Sequence, residues 1–521
     1  MGHHIRHITS TIALGLVTAL PSSATADVTP ADVWAQWAGY LSSFGYTVEV
    51  EPETDGTDIR FPKFEMTMFI PSDPDRGIVG GTVVIGMGEL ALIDQGDGTV
   101  SIEMPVASPI TVRGDGAGDE DFTATMNLMM EGHRTIASGQ PGDITYDYIA
   151  DRIAISLEEV TSAQGDFPVP GTVSFSMEGA SGQTSIAMTD GTSRVDQTMQ
   201  VARLTYDVEL TEIDGDVENR LMWSGEMTDL TTTSMGVVPP EVNPLAIDVA
   251  LRNGYTVNAD AEFGGGSGEF YFADERAEAR VQTSSGGGTY HLGMSDEGLS
   301  YDLMSRDLNL SVAGNQIPFP VNTSAAALGL GISLPVIAGA EEQPFAASVT
   351  ITDLAVPEPL WMMADPTNAL PHDPITIETS FTGTTRLFVD LMNERAMSQL
   401  DRTGGAPGEL TSLVLEQLRL RAAGALVEAT ADFDIDNTKV FPLNPSLPAF
   451  DGVADIRMDG VTTLLGKLGQ MGLIPMQQVM IGSGMIQQLG RQGPGADEYS
   501  ATIEVTPQGA LSVNGMPLPL Q

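Results

Sequence analysis

Apolar and polar residues take turns along most of this chain. The clearest stretch is Tyr255, Val257, Ala259, Ala261 and Phe263, with Thr256, Asn258, Asp260 and Glu262 between them. A period of two sends alternate side chains to opposite faces of a β-strand, so the pattern predicts half-buried strands with one apolar face. The same rhythm recurs in Leu204-Tyr206-Val208-Leu210, Ile247-Val249-Leu251, Leu308-Leu310-Val312 and Ile375-Ile377-Thr379-Phe381. Clusters at 94–98, 264–268 and 284–288, rich in glycine, serine and aspartate, are read as turns between strands. Short turns joining one-sided strands predict antiparallel meanders.

A shorter signature repeats within this rhythm: Ile144-Thr145-Tyr146-Asp147-Tyr148, Leu204-Thr205-Tyr206-Asp207-Val208 and Leu299-Ser300-Tyr301-Asp302-Leu303. After the first and third copies the apolar run continues, Ile153, Ile155 and Leu157 matching Leu308, Leu310 and Val312. The copies are unequally spaced, which speaks against a solenoid or propeller and for one long sheet extended by hairpins.

Helical periodicity interrupts the strands in few places. Val33, Trp34, Trp37, Tyr40, Leu41 and Phe44 form one apolar stripe, with Thr29 as N-cap, Pro30 at the first helical position, Asp32 in the first turn and Gly45 as the stop. This helix is expected to cap the end of the sheet. A short helix is expected at 387–400, and two apolar helices at 461–471 and 476–489. Between them, Leu418-Leu420-Ala422 and Val427-Ala429-Ala431-Phe433-Ile435 read as a hairpin around Gly424, and Ala501-Ile503-Val505 and Leu511-Val513 close the chain as strands. The predicted fold is mainly β: an elongated, twisted antiparallel sheet with an N-terminal cap helix and a small α+β C-terminal region. Proline clusters at 237–244 and 356–374 divide it into β-rich regions 27–240 and 241–360 and an α+β region 361–521.

The first 26 residues add a destination. Arg6 precedes an apolar run from Ile12 to Leu20, then Pro21 and the small residues Ala24 and Ala26. That is the layout of a signal peptide cleaved between Ala26 and Asp27, and the run is too short to span a bilayer. No later segment is long and apolar enough to do so, and a periplasmic protein is expected, with an extracellular one as the alternative. Cysteine is absent, which removes disulfides, thiolate zinc sites and cysteine nucleophiles. After cleavage 22 basic side chains face 70 acidic ones, and such a surface repels nucleic acid.

Little catalytic chemistry stands out. His133, His291 and His372 remain after cleavage, none at metal-ligand spacing from another. Nucleophile elbow and phosphate-loop spacings are lacking, so no cofactor is expected. Asp432, Asp434 and Asp436 open like a calcium loop, but Asn437 and Leu443 stand where glycine and glutamate belong. The run from Asp115 to Asp121 suits calcium better, although a solvated turn is the simpler reading. Paired carboxylates could serve glycoside hydrolysis, yet aromatic residues make up only 6 %, thin for stacking sugar rings. Methionine numbers 26, with Met471, Met476, Met480 and Met485 near the C-terminal helices, where its flexibility suits either core filling or varied apolar partners.

Several stretches together resemble an exported alphaproteobacterial family catalogued as domain of unknown function 2125. They are Asp27-Val28-Thr29-Pro30-Ala31-Asp32-Val33-Trp34, Gly86-Met87-Gly88-Glu89-Leu90, Leu360-Trp361 with Asp365-Pro366 and Leu370-Pro371, and Leu511-Ser512-Val513-Asn514-Gly515. The likeness runs through nearly the whole mature chain and implies no site residues. At the level of fold, the repeated Tyr-Asp strands resemble the curled sheets of AsmA-like envelope proteins, a resemblance that implies apolar grooves and lipid handling.

The expectation is therefore an envelope protein without catalytic activity that holds a lipid or a protein partner in an apolar groove. Tyr146, Tyr206, Tyr255 and Tyr301 are expected to line its floor, with Met476 and Met480 at its C-terminal end. A sheet packed on itself as a scaffold is the alternative, and a carboxylate hydrolase a distant third.

Overall fold

The computed structural model describes residues 27–70, 81–116, 121–162, 165–167, 171–214, 217–244, 246–442 and 444–518. The signal segment with Ala26, and residues 117–120 of the calcium candidate, lie outside them. The described residues form one large antiparallel sheet, a helix near the N-terminus and a few small helices later: α1 (Pro30–Ser43), α2 (Ile247–Arg252), α3 (Glu358–Ala364), α4 (Glu394–Thr403), α5 (Val461–Gln470) and α6 (Met476–Leu489).

Strand Asp143–Ser162 is the hub. Along one side it pairs with Gly171–Thr189; along the other lie two shorter strands end to end, Arg134–Gln140 and Phe122–Glu131. Each starts a branch. One continues through Val100–Glu103, Leu90–Asp94 and Asp58–Phe61, the other through Ala107–Gly116, Gly81–Met87 and Phe64–Ile70. Apolar residues of both branches meet in the main core, Phe61, Leu92, Val100 and Ile102 from the first and Phe64, Met66 and Ile85 from the second. Helix α1 completes it. Thr29 and Asp32 cap the helix reciprocally, Val33 is wholly buried, and Trp34 packs on Phe61 with ring centroids 4.7 Å apart.

In the other direction the ladder runs through Thr192–Asp214, Val217–Val238, Thr256–Phe263 with Gly265–Ala273, Glu278–Ser285 with Gly287–Ser295, Gly298–Gly314, Val321–Leu334, Gln343–Leu354, Ile375–Leu387, Gly408–Ala422, Ala425–Phe441, Asn444–Asp459 and Glu498–Val505. At about 4.8 Å per strand these twelve ladder positions span roughly 55 Å. The hydrogen-bond ladder passes both proline clusters without a break.

Register sorts the side chains. One row of directly opposed residues reads Tyr146, Thr184, Gln197, Ser234, Ala259, Leu292, Tyr301, Ile332, Ala347 and Phe381; the next reads Asp147, Gln183, Thr198, Thr233, Asp260, His291, Asp302, Gly331, Ser348 and Ser380. The Tyr-Asp signature thus marks the two faces, tyrosine on the apolar one and aspartate on the polar one.

A crease crosses this sheet. Gly132, Gly179, Asp229, Asp307 and Asp353 all have φ between 51° and 62°, the left-handed region, and stand at one level on strands two or three apart. The ladder skips their row. Val201 pairs with Leu230 and Arg203 with Thr228, leaving Ala202 opposite Asp229 without a ladder bond. On crossing this row each strand's apolar positions change parity: Tyr146, Tyr148, Ala150 become Ile153, Ile155, Leu157; Met199, Val201 become Leu204, Tyr206; Leu299, Tyr301, Leu303 become Leu308, Leu310, Val312. Both sets still share a face, because Ala180 and Val201 from one side cluster with Leu204, Ile153, Met177, Tyr206 and Met227 from the other. Residues of the row itself are exposed. The sheet is therefore bent along this line with its apolar face inside, and the out-of-ladder residues supply the turn.

Three sequence expectations need correction. Residues Ile247, Val249 and Leu251 are in α2, not a strand: Ala250 and Leu251 are buried together while Val249 is exposed, a one-sided helical pattern that six residues disguise as alternation. The clusters at 264–268 and 284–288 are not hairpin turns; they lie within two long strands, bent at Gly264 and Gly286 where the crease crosses. The helix expected at 387–400 starts only at Glu394, because Leu387 still pairs in the sheet and Asn393 supplies the N-cap. Asp432 and Asp434 face solvent from the strand, and Asp436 bonds Lys439 and Thr438 instead of a turn of ligands.

Candidate functional site

The apolar face is paved by rings laid over glycines. A Cβ on Gly225 would fall 2.5 Å from the Tyr206 hydroxyl, and one on Gly268 would fall 3.3 Å from it. The same fit recurs for Phe263 over Gly288, Phe345 over Gly383 and Phe433 over Gly452, each within 3 Å of the missing Cβ. Glycine weakens a strand, and a cross-strand ring covers the backbone it leaves bare. That is why glycines crowd the 264–268 segment inside a strand. The Tyr206 ring also meets Trp223 at 4.8 Å, and Tyr301 meets Tyr290 at 5.2 Å.

Past the α1 core much of this face stays exposed, up to the α5–α6 hairpin, beside which Tyr499 is buried at the far end. Along Val321–Leu334, Leu328, Leu330, Ile332 and Leu334 are 37–44 % exposed, and Trp223 is 51 % exposed. Phe175, Leu210, Phe270 and Val349 share the face and are also exposed. The large buried side chains beyond Val238 gather instead at strand ends, where Leu251, Val336 and Ile337 pack with Leu391 and Met392.

The expected groove residues separate into three groups. Tyr206 and Tyr301 line the open face. Tyr146 lies under α1, where its hydroxyl donates to Gln36 Oε1 at 2.6 Å and Gln36 Nε2 donates to the Ile186 carbonyl at 2.9 Å. Burial pushes the Tyr146 phenol pKa up, and that of neighbouring Tyr148 up to about 12. Tyr255 belongs to the rim, packed with Tyr40, Val238 and Ala250. Met476 and Met480 are exposed on α6, 47 % and 64 %. Sequence reading missed Trp223, Phe270 and the 328–334 leucine-rich stripe, although their alternation was there to be read.

The polar face carries cross-strand ion pairs, among them Arg203 with Glu226 at 2.5 Å and Arg220 with Glu209 at 2.6 Å. It also carries an arrangement that spacing alone hides. His291 Nδ1–H donates to Asp260 Oδ1 at 2.8 Å, and its Nε2 lies 3.2 Å from Ser300 Oγ. Serine, histidine and aspartate in that order are the parts of a hydrolytic triad. Here they sit on three successive strands of an open, wet face, Asp260 directly opposite His291 and Ser300 diagonal to it, with Asp260 more than half exposed and the surrounding N–H groups engaged in the ladder, so no pair of donors is left to hold an oxyanion. Two hollows, each of about 280 Å³, also open on the polar side, one beside Arg152, Glu178 and Arg203, the other beside Asn258 and Asp260.

His372 stacks on Trp361 at 4.4 Å and donates to Glu358 Oε2 at 3.2 Å, while Asp365 accepts from the Leu370 N–H at 2.6 Å. Burial alone would raise the Asp365 pKa, but the Ala369 and Leu370 N–H groups outweigh it and hold the carboxyl below its usual range. This knot fixes the proline-rich connection after 356. His133 bonds the Met130 carbonyl at 3.0 Å. Among the described residues no three His, Asp or Glu side chains gather where they could hold a metal, and no helix is long and apolar enough to cross a membrane. Comparison with protein-family models, with curated proteins and with solved structures returned no match.

Proposed function

We propose that this protein is exported to the periplasm and binds an acyl chain of a lipid along the apolar trough formed by the bent sheet, without catalysing a reaction. The carrying observation is the stripe Leu328, Leu330, Ile332 and Leu334, half-exposed on the inside of the bend beside Tyr301 and Val349. Leu308 to Ala340 carries no charged residue at all, so this part of the trough offers nothing that must stay hydrated. An acyl chain gains about 0.8 kcal/mol per buried methylene. Ten methylenes thus bring roughly 8 kcal/mol, enough to exceed the several kcal/mol lost on immobilising a small ligand. The resemblance of the motifs at 27–34 and 511–515 to an exported family, and the signal-like first 26 residues, support the same setting.

Native mass spectrometry and lipid extraction of protein purified without detergent test the reading, together with uptake of a fluorescent fatty acid. A bound lipid, or uptake weakened about tenfold by Leu330→Gln with Ile332→Gln, is the expected outcome. Lipid-free protein that takes up no fatty acid would leave a self-supporting scaffold as the better description.

A further inference from the structure

One stretch of the inner face is polar. Where the sheet leaves α1, the row that holds Tyr146 continues with Thr184, Gln197 and Ser234 before it reaches Ala259, and the next row runs from Tyr148 through Met199 and Thr232 to Ala261. Two of these hydroxyls are buried without a partner. Tyr148 is 3 % exposed and Thr184 6 %, and neither Tyr148 Oη nor Thr184 Oγ1 finds a hydrogen bond among the described residues. Tyr146, as deeply buried, is satisfied by Gln36. The Tyr148 ring lies over Gly182, its Cε1 3.1 Å from where a Cβ would stand, which carries the hydroxyl toward the strand of Gln197. Burial raises the Tyr148 phenol pKa, and the Gln197 side chain offsets part of the rise without the geometry of a hydrogen bond. Buried hydroxyls in native proteins are nearly always paired, because leaving one unpaired is costly. Two on one face, beside a half-buried amide, need a polar group from outside the chain.

We infer that Tyr148 and Thr184 hold the polar end of the lipid whose chain occupies the trough, and that this end is an uncharged ester, as in a monoacylglycerol. The inference rests on the trough reading. Charge excludes the common alternatives. On the inner face, Ile144, Tyr146, Tyr148 and Ala150 and the residues opposed to them on the next three strands include no charged side chain, so a carboxylate or phosphate brought here would be buried without a counter-charge. A formal net charge of −47 adds to that penalty. An ester carbonyl can accept from both hydroxyls, and the glycerol hydroxyls can donate to Gln197 and Ser234. Small residues, Ala259 and Ala261, keep the floor low beyond this point. Five ladder steps from Met199 the second row reaches Leu330, about 24 Å away, a span for one long extended chain.

Displacement of a fluorescent fatty acid from the full protein at about pH 9, where oleate is ionised, compares mono-oleoylglycerol with oleate. Mono-oleoylglycerol is expected to compete about tenfold better, the worth of one good hydrogen bond. Tyr148→Phe with Thr184→Val removes both hydroxyls and no protein hydrogen bond. Its unfolding midpoint should not fall, its preference for mono-oleoylglycerol should shrink to within about twofold, and its oleate binding should match wild type. Tyr148→Phe alone should lose about threefold of the preference and serves if the double variant does not fold. Thr379→Val is the control: its hydroxyl is also unpartnered, but it stands between Val349 and Leu418 beyond Leu330, and the preference should stay. Oleate competing as well as mono-oleoylglycerol, or a double variant that keeps the preference, overturns the inference and leaves the trough reading standing. A preference kept together with a lowered midpoint would show that the two hydroxyls hold structural water only. Wild-type protein that binds neither lipid nor the fluorescent fatty acid ends the trough reading and this inference with it.

Discussion

Replacing the crease aspartates by valine separates the backbone's contribution to the bend from that of charge. Asp307 has φ 52° and an exposed side chain, so neither burial nor a buried ion pair is at stake. A left-handed residue costs an L side chain roughly 1–2 kcal/mol, least for Asn and Asp and most for β-branched types. Asp307→Val is therefore expected to lose about 1–2 kcal/mol and Asp307→Asn under about 0.5 kcal/mol. Asp229 and Asp353 occupy the same row two or more strands away, roughly 10 Å or further, where effects add. The triple valine variant should then lose about 3–6 kcal/mol, a large share of the 5–15 kcal/mol of an ordinary domain. Urea unfolding followed by tryptophan fluorescence reads the midpoint. Asp302→Val is the control: it is exposed on the same strand but at ordinary strand φ, where valine fits. If Asp302→Val loses as much as Asp307→Val, or Asp307→Asn loses as much as valine, the crease is not held by left-handed residues and the reasoning fails.

Further outcomes follow from single sites. Ala423 sits at φ 50° in the two-residue turn with Gly424, so Ala423→Asn should raise stability by about 0.5–1 kcal/mol, seen as a higher urea midpoint. Asp497 caps α5, and Asp497→Asn should cost about 1 kcal/mol at neutral pH. Burial raises the Asp497 pKa, but hydrogen bonds from Thr462 and Thr463 outweigh it and the carboxyl stays below its usual range. The capping stabilisation is thus complete above the unfolded pKa of about 3.9 and is lost as pH falls through the lower folded value, so the gap between variant and wild type should close below about pH 4; a gap unchanged at pH 3 would contradict the capping role. Ser300 should not react with a fluorophosphonate probe, and labelling that disappears in Ser300→Ala and His291→Ala would turn the polar-face trio into a working nucleophile.

The strands were legible because each has one wet face, α1 because its cap and stripe are local, and α5 and α6 because their apolar runs are broken by a short glycine- and proline-containing connection. The crease was not seen, although its trace is present: Tyr146 and Ile153 are seven apart, as are Tyr301 and Leu308, so an even-numbered apolar run turns odd, and the reverse, at the same place in both copies. Reading each run separately hides that slip, since alternation on either side is perfect. Glycines at 264–268 misled for a related reason. Turn chemistry and close packing of a ring over a strand both call for glycine, and only the partner strand, carrying Tyr206, distinguishes them. The His291 trio depends on the register of three strands, which no local spacing encodes. Tyr146 was placed in the open groove because its strand matches that of Tyr301; α1 lies over one copy and not over the other.

The crease also bears on which occupant suits the apolar face. A flat sheet with exposed leucines invites another flat sheet at about 10 Å, the geometry of a sandwich or of two copies stacked face to face. This face is not flat. The bend brings Val201 and Ala180 on one wall together with Leu204 and Met177 on the other, so a second sheet could cover one wall only by standing clear of the opposite one. In the proposed reading a narrow apolar chain lies beside the bend, along Leu328, Leu330, Ile332 and Leu334, because Ala180, Val201 and Leu204 at the bend are already buried against one another. The ring-over-glycine pairs favour the same shape, because Tyr206 laid across Gly225 and Gly268 keeps the floor low where an upright side chain would block it. At the N-terminal end α1 and the two branches bury a common core that includes Phe61, Leu92, Val100 and Ile102. In the proposed reading, the bend suits a slender chain better than a second sheet.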